Sequence, residues 1–111
     1  MPNLGSLITL CVKILHMTEE ERKKAYKAFV DAWGKEAQIK MAIEEMAELT
    51  KELCKSWRDK AKENPEESRK CIAEEIADVK NMISQMAYIF SSHEEIEKIR
   101  DEKLARTLKR L

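Results

Sequence analysis

Glycine and proline are nearly missing from this chain, with two of each in 111 residues. With only Gly5 and Gly34 available, a glycine-rich loop that cradles phosphate is excluded. Aromatic residues make up 5% of the chain, so its core has to be aliphatic and rich in its six methionines. Charge of a dominant sign is absent too: 21 basic residues balance 21 acidic ones. No global field therefore points to nucleic acid or to a membrane surface as partner. Cysteine is sparse and unpaired. Cys11, Cys54 and Cys71 are odd in number, widely spaced and without a C-x-x-C pair. That excludes a zinc or disulfide framework and favours a reducing cytoplasm. Long apolar runs are lacking as well. The most apolar stretch, GSLITLCVKIL (5–15), is interrupted by Lys13, too short to span a bilayer, and without the basic start of a signal peptide. It reads as a packing segment at a subunit contact, within an N-terminal extension over 1–17.

What remains is a composition for long helices. Charged residues reach 38%, and Glu, Lys, Ala, Met and Ile dominate. The length allows one domain, here 18–111, and no stretch alternates apolar and polar residues long enough for a sheet. Thr18 and Glu21 have the spacing of a capping box, opening a helix that runs to about Trp33 and stops at Gly34. A second helix is expected from Lys35 to about Lys62, where Glu63-Asn64-Pro65 breaks it. Pro65 suits the first turn of a third, running to about Phe90. Ser92 and Glu95 form another capping-box pair before a last helix that reaches the C-terminus. The expected fold is all-α and like a four-helix bundle. Small chains with long helices often complete their core by oligomerising, so a homodimer or homotetramer is expected.

The informative pattern is a repeated one: IEEMAEL at 43–49 and AEEIADV at 73–79. Each residue advances a helix by about 100°, so phase follows from spacing. Measured from Glu45, the second helix gathers Ile39, Ala42, Ile43, Met46, Leu49, Leu53 and Trp57 between about 40° and 160°. Glu48 and Glu52 fall within about 60° on the other side of Glu45, so three acids border the apolar stripe. The third helix repeats this around Glu75, with Ile72, Ile76, Val79, Ile83, Met86, Ala87 and Phe90 as the stripe and Asp78 on its border. Glu44 and Glu74 point away and read as solvent-facing. If the two stripes pack together, the bordering acids converge and repel one another, so the cluster needs cations, protons or basic partners. Glu-rich helices commonly carry such pairs merely to solvate a surface; two pairs at matching phase weigh against that account.

Oxygen ligands alone suit Mg²⁺ or Mn²⁺. A di-iron bundle would need Glu-x-x-His on two helices, whereas the two histidines, His16 and His93, lie away from the acids. An EF-hand is excluded because these acids sit on helices.

E-x-x-E followed by E-x-x-D on consecutive helices of a small all-α chain resembles the MazG-like nucleoside triphosphate pyrophosphohydrolases, a superfamily that includes dimeric dUTPases and dCTP pyrophosphatases. The motifs read EEMAE (44–48) and EIAD (75–78). The resemblance runs from about Trp33 to Leu111, through QIKMAIEEMAEL and the basic EKLARTLKR; the first thirty residues carry none of it. It implies Glu45, Glu48, Glu75 and Asp78 as metal ligands, with Glu52 beside them for a second ion or a water. It implies Mg²⁺, with Mn²⁺ able to substitute, and hydrolysis between the α and β phosphates to give a monophosphate and pyrophosphate. Glu48 and Glu45 are the candidate catalytic groups, Glu48 as acceptor of the water's proton. A MazG-type helical core, a site near a subunit contact and a role in removing non-standard or surplus nucleotides also follow from the resemblance. For the substrate, the candidates are Gln38, Lys55, Arg58, Asn81, Lys103 and Arg106, with Arg110 on the same face of the last helix. Basic residues at helix ends also simply complement the dipole. Trp57 matches Ile39 in phase and is expected in the core rather than against a base. The competing readings are a non-catalytic helical bundle with an assembly or regulatory role, and a degenerate relative that binds nucleotide without turnover.

Overall fold

The computed structural model describes residues 16–58 and 63–111. Every regular element in them is a helix: α1 (Glu19–Trp33), α2 (Lys35–Ser56), α3 (Pro65–Phe90) and α4 (His93–Leu108). The apolar segment 5–15 lies outside the described residues. Among them, no helix is long and apolar enough to cross a membrane.

Local chemistry sets the helix ends. The Thr18 hydroxyl accepts from the Glu21 amide at 3.1 Å, and the Glu21 carboxylate accepts from the Thr18 amide at 3.2 Å, completing the capping box. Asn64 caps α3 by accepting from the Glu67 amide at 3.2 Å, ahead of Pro65 at the first position. At α4 the box is half made. The Ser92 hydroxyl accepts from the Glu95 amide, but the Glu95 carboxylate accepts from the Ser91 hydroxyl at 2.8 Å. α2 ends at Ser56, short of the expected Lys62. There the ladder tightens into i→i+3 bonds from the Trp57 and Arg58 amides, while the Ser56 hydroxyl donates to the Leu53 carbonyl at 2.6 Å.

Gly34 joins α1 to α2 at φ 88°, ψ 155°, a region open essentially to glycine alone, and its amide donates to the Val30 carbonyl. No atom lies within 4 Å of where a Cβ would stand. The cost of Gly34→Ala is therefore conformational rather than steric. Urea denaturation of that variant is expected to show a loss of about 1–3 kcal/mol.

α2 and α3 pack antiparallel along their length, since Gln38 meets Gln85 and Glu45 lies beside Asp78. α1 rests on both and contributes the buried Tyr26 and Ala28, whereas α4 packs, among the described helices, against α3 alone and buries none of its residues. The buried positions of the α2–α3 seam are Gln38 and Ala42 from one helix and Val79, Met82 and Gln85 from the other. By helical phase this seam is centred close to Glu45 and Glu75, and of the apolar stripes those acids were expected to border it buries Ala42 and Val79.

Part of each stripe is correspondingly turned outward, while Ile39, Leu49, Ile72, Met86 and Ala87 stay half-buried. Ile43, Met46 and Leu53 of α2, and Ile76, Ile83 and Phe90 of α3, are exposed, and Trp57, expected in the core, is 88% exposed beyond the end of α2. Two helices in contact cover one side of each other only, and among the described residues these side chains keep at least 42% of their surface exposed. Because α2 and α3 run in opposite directions, flanks displaced in the same rotational sense face the same side of the pair. The uncovered apolar side chains of both helices therefore form one face.

Candidate metal centre

The shift of the seam brings the acids inward. Glu45 of α2 and Glu75 and Asp78 of α3 offer carboxylate oxygens that all lie within 4.8 Å of one another. Glu45 and Glu75 are half-buried and Asp78 is exposed. The Oε2 atom of Glu75 is buried with no hydrogen-bond partner, an unfavourable state for an ionised oxygen. Desolvation pushes the Glu75 carboxyl above the ordinary glutamate range, and the charges of Asp78, Glu45, Glu48 and Glu52 push it further. Glu45 is raised in the same way, by desolvation first and then by Asp78, Glu48 and Glu44, with a side-chain hydrogen bond to Asp78 adding to the effect. All five acids singled out from helical spacing thus converge. Glu45, Glu75 and Asp78 form the tight group, with Glu48 and Glu52 near enough to act on it by charge.

The donor set fits a hard divalent cation: three carboxylates, one with an orphaned buried oxygen, and no histidine or cysteine among them. Glu48 is exposed and outside the tight group, which leaves it able to reach a bound water or a second ion.

Beside the acids opens a cavity of about 600 Å³, shared between α1 and the α2–α3 pair. Glu45 and Asp78 form one end of its lining, which also includes Gln38 and Asn81. His16, placed away from the acids by sequence position, borders the same cavity because the chain entering α1 passes over it. The other expected substrate groups are not brought there. Lys55 pairs with Glu52 at 3.3 Å, so this cation already neutralises one acid of the cluster. Arg58 is exposed past the end of α2. Lys103 and Arg106 lie on the wholly exposed second half of α4 and do not line the cavity.

Among the lining residues that sequence reasoning missed are Arg22, Phe29 and Trp33 from α1, and Gln85 from α3. Phe29 and Trp33 stack with ring centroids 5.5 Å apart. For the α1 residues no signal was available, because helical phase says nothing about which helix crosses the pair. Gln85 had one: it follows Asp78 by seven residues, as Gln38 precedes Glu45 by seven, so the two glutamines occupy matching places on antiparallel helices.

Comparison with protein-family models, with curated proteins and with solved structures finds no match to this chain.

Proposed function

We propose that this protein is a Mg²⁺-dependent nucleoside triphosphate pyrophosphohydrolase of the MazG-like kind, acting in the cytoplasm as a homodimer or homotetramer. The observation that carries this reading is the buried, partnerless Oε2 of Glu75 inside a group of three carboxylates at the mouth of a nucleotide-sized cavity. An acidic nest repels a polyphosphate unless a cation stands between them, and among the described residues no ion pair is recorded for Glu45, Glu75 or Asp78, only one between Lys55 and Glu52.

Glu45, Glu75 and Asp78 would hold Mg²⁺ or Mn²⁺, with Glu48 and Glu52 beside them. A divalent ion there supplies polarisation of phosphoryl oxygens and a lowered pKa for a coordinated water. The residues of the chain do the rest. Glu48, exposed beside the cluster, accepts the proton of the attacking water on its carboxylate. The water oxygen bonds to phosphorus at the α–β anhydride, the bridging P–O bond breaks, and pyrophosphate leaves a nucleoside monophosphate behind. Arg22, a basic residue that lines the same cavity, would meet the phosphate chain.

The assembly rests on the uncovered apolar face. Fully burying a side chain such as Ile43, Met46 or Ile83 stabilises by about 1.5–3 kcal/mol, which a second copy laid on that face would recover. Ile43→Glu is expected to lower the mass found by sedimentation at unchanged helicity.

The test of the activity is pyrophosphate release from a panel of nucleoside triphosphates with Mg²⁺ or Mn²⁺. Turnover that needs the metal and falls by orders of magnitude in Glu48→Gln supports the reading. A chain that releases no pyrophosphate from any of them, and whose melting ignores both metals, refutes it.

A further inference from the structure

The floor of the cavity holds two side chains that a helix seam would not ordinarily enclose. Gln38 and Gln85 are each only 2% exposed, the most buried residues described, and the Gln85 amide Nε2 donates to Gln38 Oε1 at 2.7 Å. Burying two carboxamides is costly unless their remaining groups are satisfied. One bond uses one N–H and one oxygen lone pair; besides the second Gln85 N–H it leaves the Gln38 amide NH₂ and the Gln85 carbonyl oxygen. Neither has a further protein partner, and neither is among the sealed, unpartnered atoms of the described residues. Both must therefore reach open space. The space they share is the 600 Å³ cavity that both residues line.

The pair leaves the same pattern whichever way its amides are turned. If the bond ran from Gln38 to Gln85 instead, the remaining groups would again be one amide NH₂ and one carbonyl oxygen, side by side. An adjacent donor and acceptor are the complement of an edge bearing an acceptor next to an N–H donor. The Watson–Crick edge of a nucleobase is such an edge; sugars and phosphates do not offer it as one flat unit. Position supports this. Gln38 lies seven residues before Glu45, and Gln85 seven after Asp78. The carboxamides therefore sit about 10 Å along the seam from the acids, by helical rise. That is about the reach of a nucleoside between its base edge and its phosphates. The stacked Phe29 and Trp33 supply an aromatic wall to the same cavity.

We infer that Gln38 and Gln85 together read the Watson–Crick edge of the substrate's base, making this a pocket for nucleotides whose base edge is unmodified. The inference rests on the nucleotide reading above and names two specificity-determining residues within it. It predicts rejection of a base methylated on its Watson–Crick ring nitrogen, because the methyl group removes that nitrogen's donor or acceptor and leaves a buried carboxamide group without a partner.

The experiment compares four proteins on three probes. The proteins are wild type, Gln38→Met, Gln85→Met and the double variant. The probes are the best nucleoside triphosphate of the panel, its N-methylated counterpart, and inorganic tripolyphosphate. Equilibrium binding of the matching nucleoside monophosphate, with metal chelated, gives a readout independent of turnover. The wild type is expected to prefer the unmodified base on the order of 10- to 100-fold in kcat/KM, and each single variant to lose most of that preference. Monophosphate binding should weaken by a similar factor while tripolyphosphate cleavage stays unchanged. The double variant replaces both partners by apolar groups of similar length, so it should fold even if a single variant, with one amide stranded, does not. Wild-type turnover with base preference intact in the double variant would overturn the inference and leave the enzyme reading standing. No turnover of any probe by wild type would overturn the enzyme reading itself.

Discussion

Replacing Glu75 by Gln is expected to abolish turnover and to make the metal-free protein more stable. The two effects share one cause. In the free protein the Glu75 carboxyl is desolvated, crowded by Asp78, Glu45, Glu48 and Glu52, and carries a buried oxygen without a partner. An amide of nearly the same shape removes the charge and its repulsion, and can donate to a neighbouring carboxylate. With a cation present the balance should reverse, because the variant lacks one of the three proposed ligands. We expect pyrophosphate release to fall by about 10³-fold or more, the scale of losing a group that stabilises charge in the transition state. The melting temperature without metal should rise, and the further rise on adding Mn²⁺ should largely vanish. Asp78→Asn should behave alike in turnover. A Glu75→Gln protein that melts lower than wild type without metal would show that its carboxylate is structural.

The second large effect is a dependence of stability on pH that runs opposite to that of salt-bridged carboxylates. Glu45 and Glu75 titrate above their ordinary value of 4.5 in the folded chain, mainly through desolvation and the charge of Asp78. In the window between that value and the raised ones, the folded state binds more protons than the unfolded state. Stability without metal must therefore fall as pH rises through the window. The penalty is absent below the unfolded value and fully present above the folded ones. A divalent cation binds the deprotonated form, so its stabilising effect should grow with pH over the same window. At a metal concentration a hundred times its dissociation constant it should reach about 2.7 kcal/mol. Denaturation curves from mildly acidic to neutral pH, with and without Mn²⁺, would measure both trends. In Glu75→Gln the slope without metal should shrink, leaving the Glu45 contribution. Parallel curves with and without metal across the whole range would contradict a carboxylate-held ion.

Most helix ends were legible because they depend on neighbours in the chain. Thr18 with Glu21, Gly34 and Pro65 act within a turn or two, and α1 begins and ends, and α3 begins, where these residues place them. The end of α2 was misjudged because no strong breaker precedes Asn64, and its last turn tightens through bonds that composition does not announce. The acids were legible for a related reason. A helix converts spacing into direction, so Glu45 and Glu48 share one side of their helix, and Glu75 and Asp78 one side of the next, and the two pairs converge if those sides meet.

The angle at which they paired was not in the spacing. Counting apolar residues put the seam on the stripes of Ile43, Met46, Ile76 and Ile83; the folded chain puts it nearer the acids and leaves those side chains outside. Apolar periodicity records every surface that is to be covered, and does not say whether the same chain or another copy covers it. The Gln38–Gln85 bond joins residues 47 apart in sequence, and the aromatic wall comes from a third helix. The sequence by itself determined which residues share a helix face and where α1, α3 and α4 begin. Only the tertiary structure decided which faces meet, because that choice depends on contacts between segments whose separation along the chain carries no local signal.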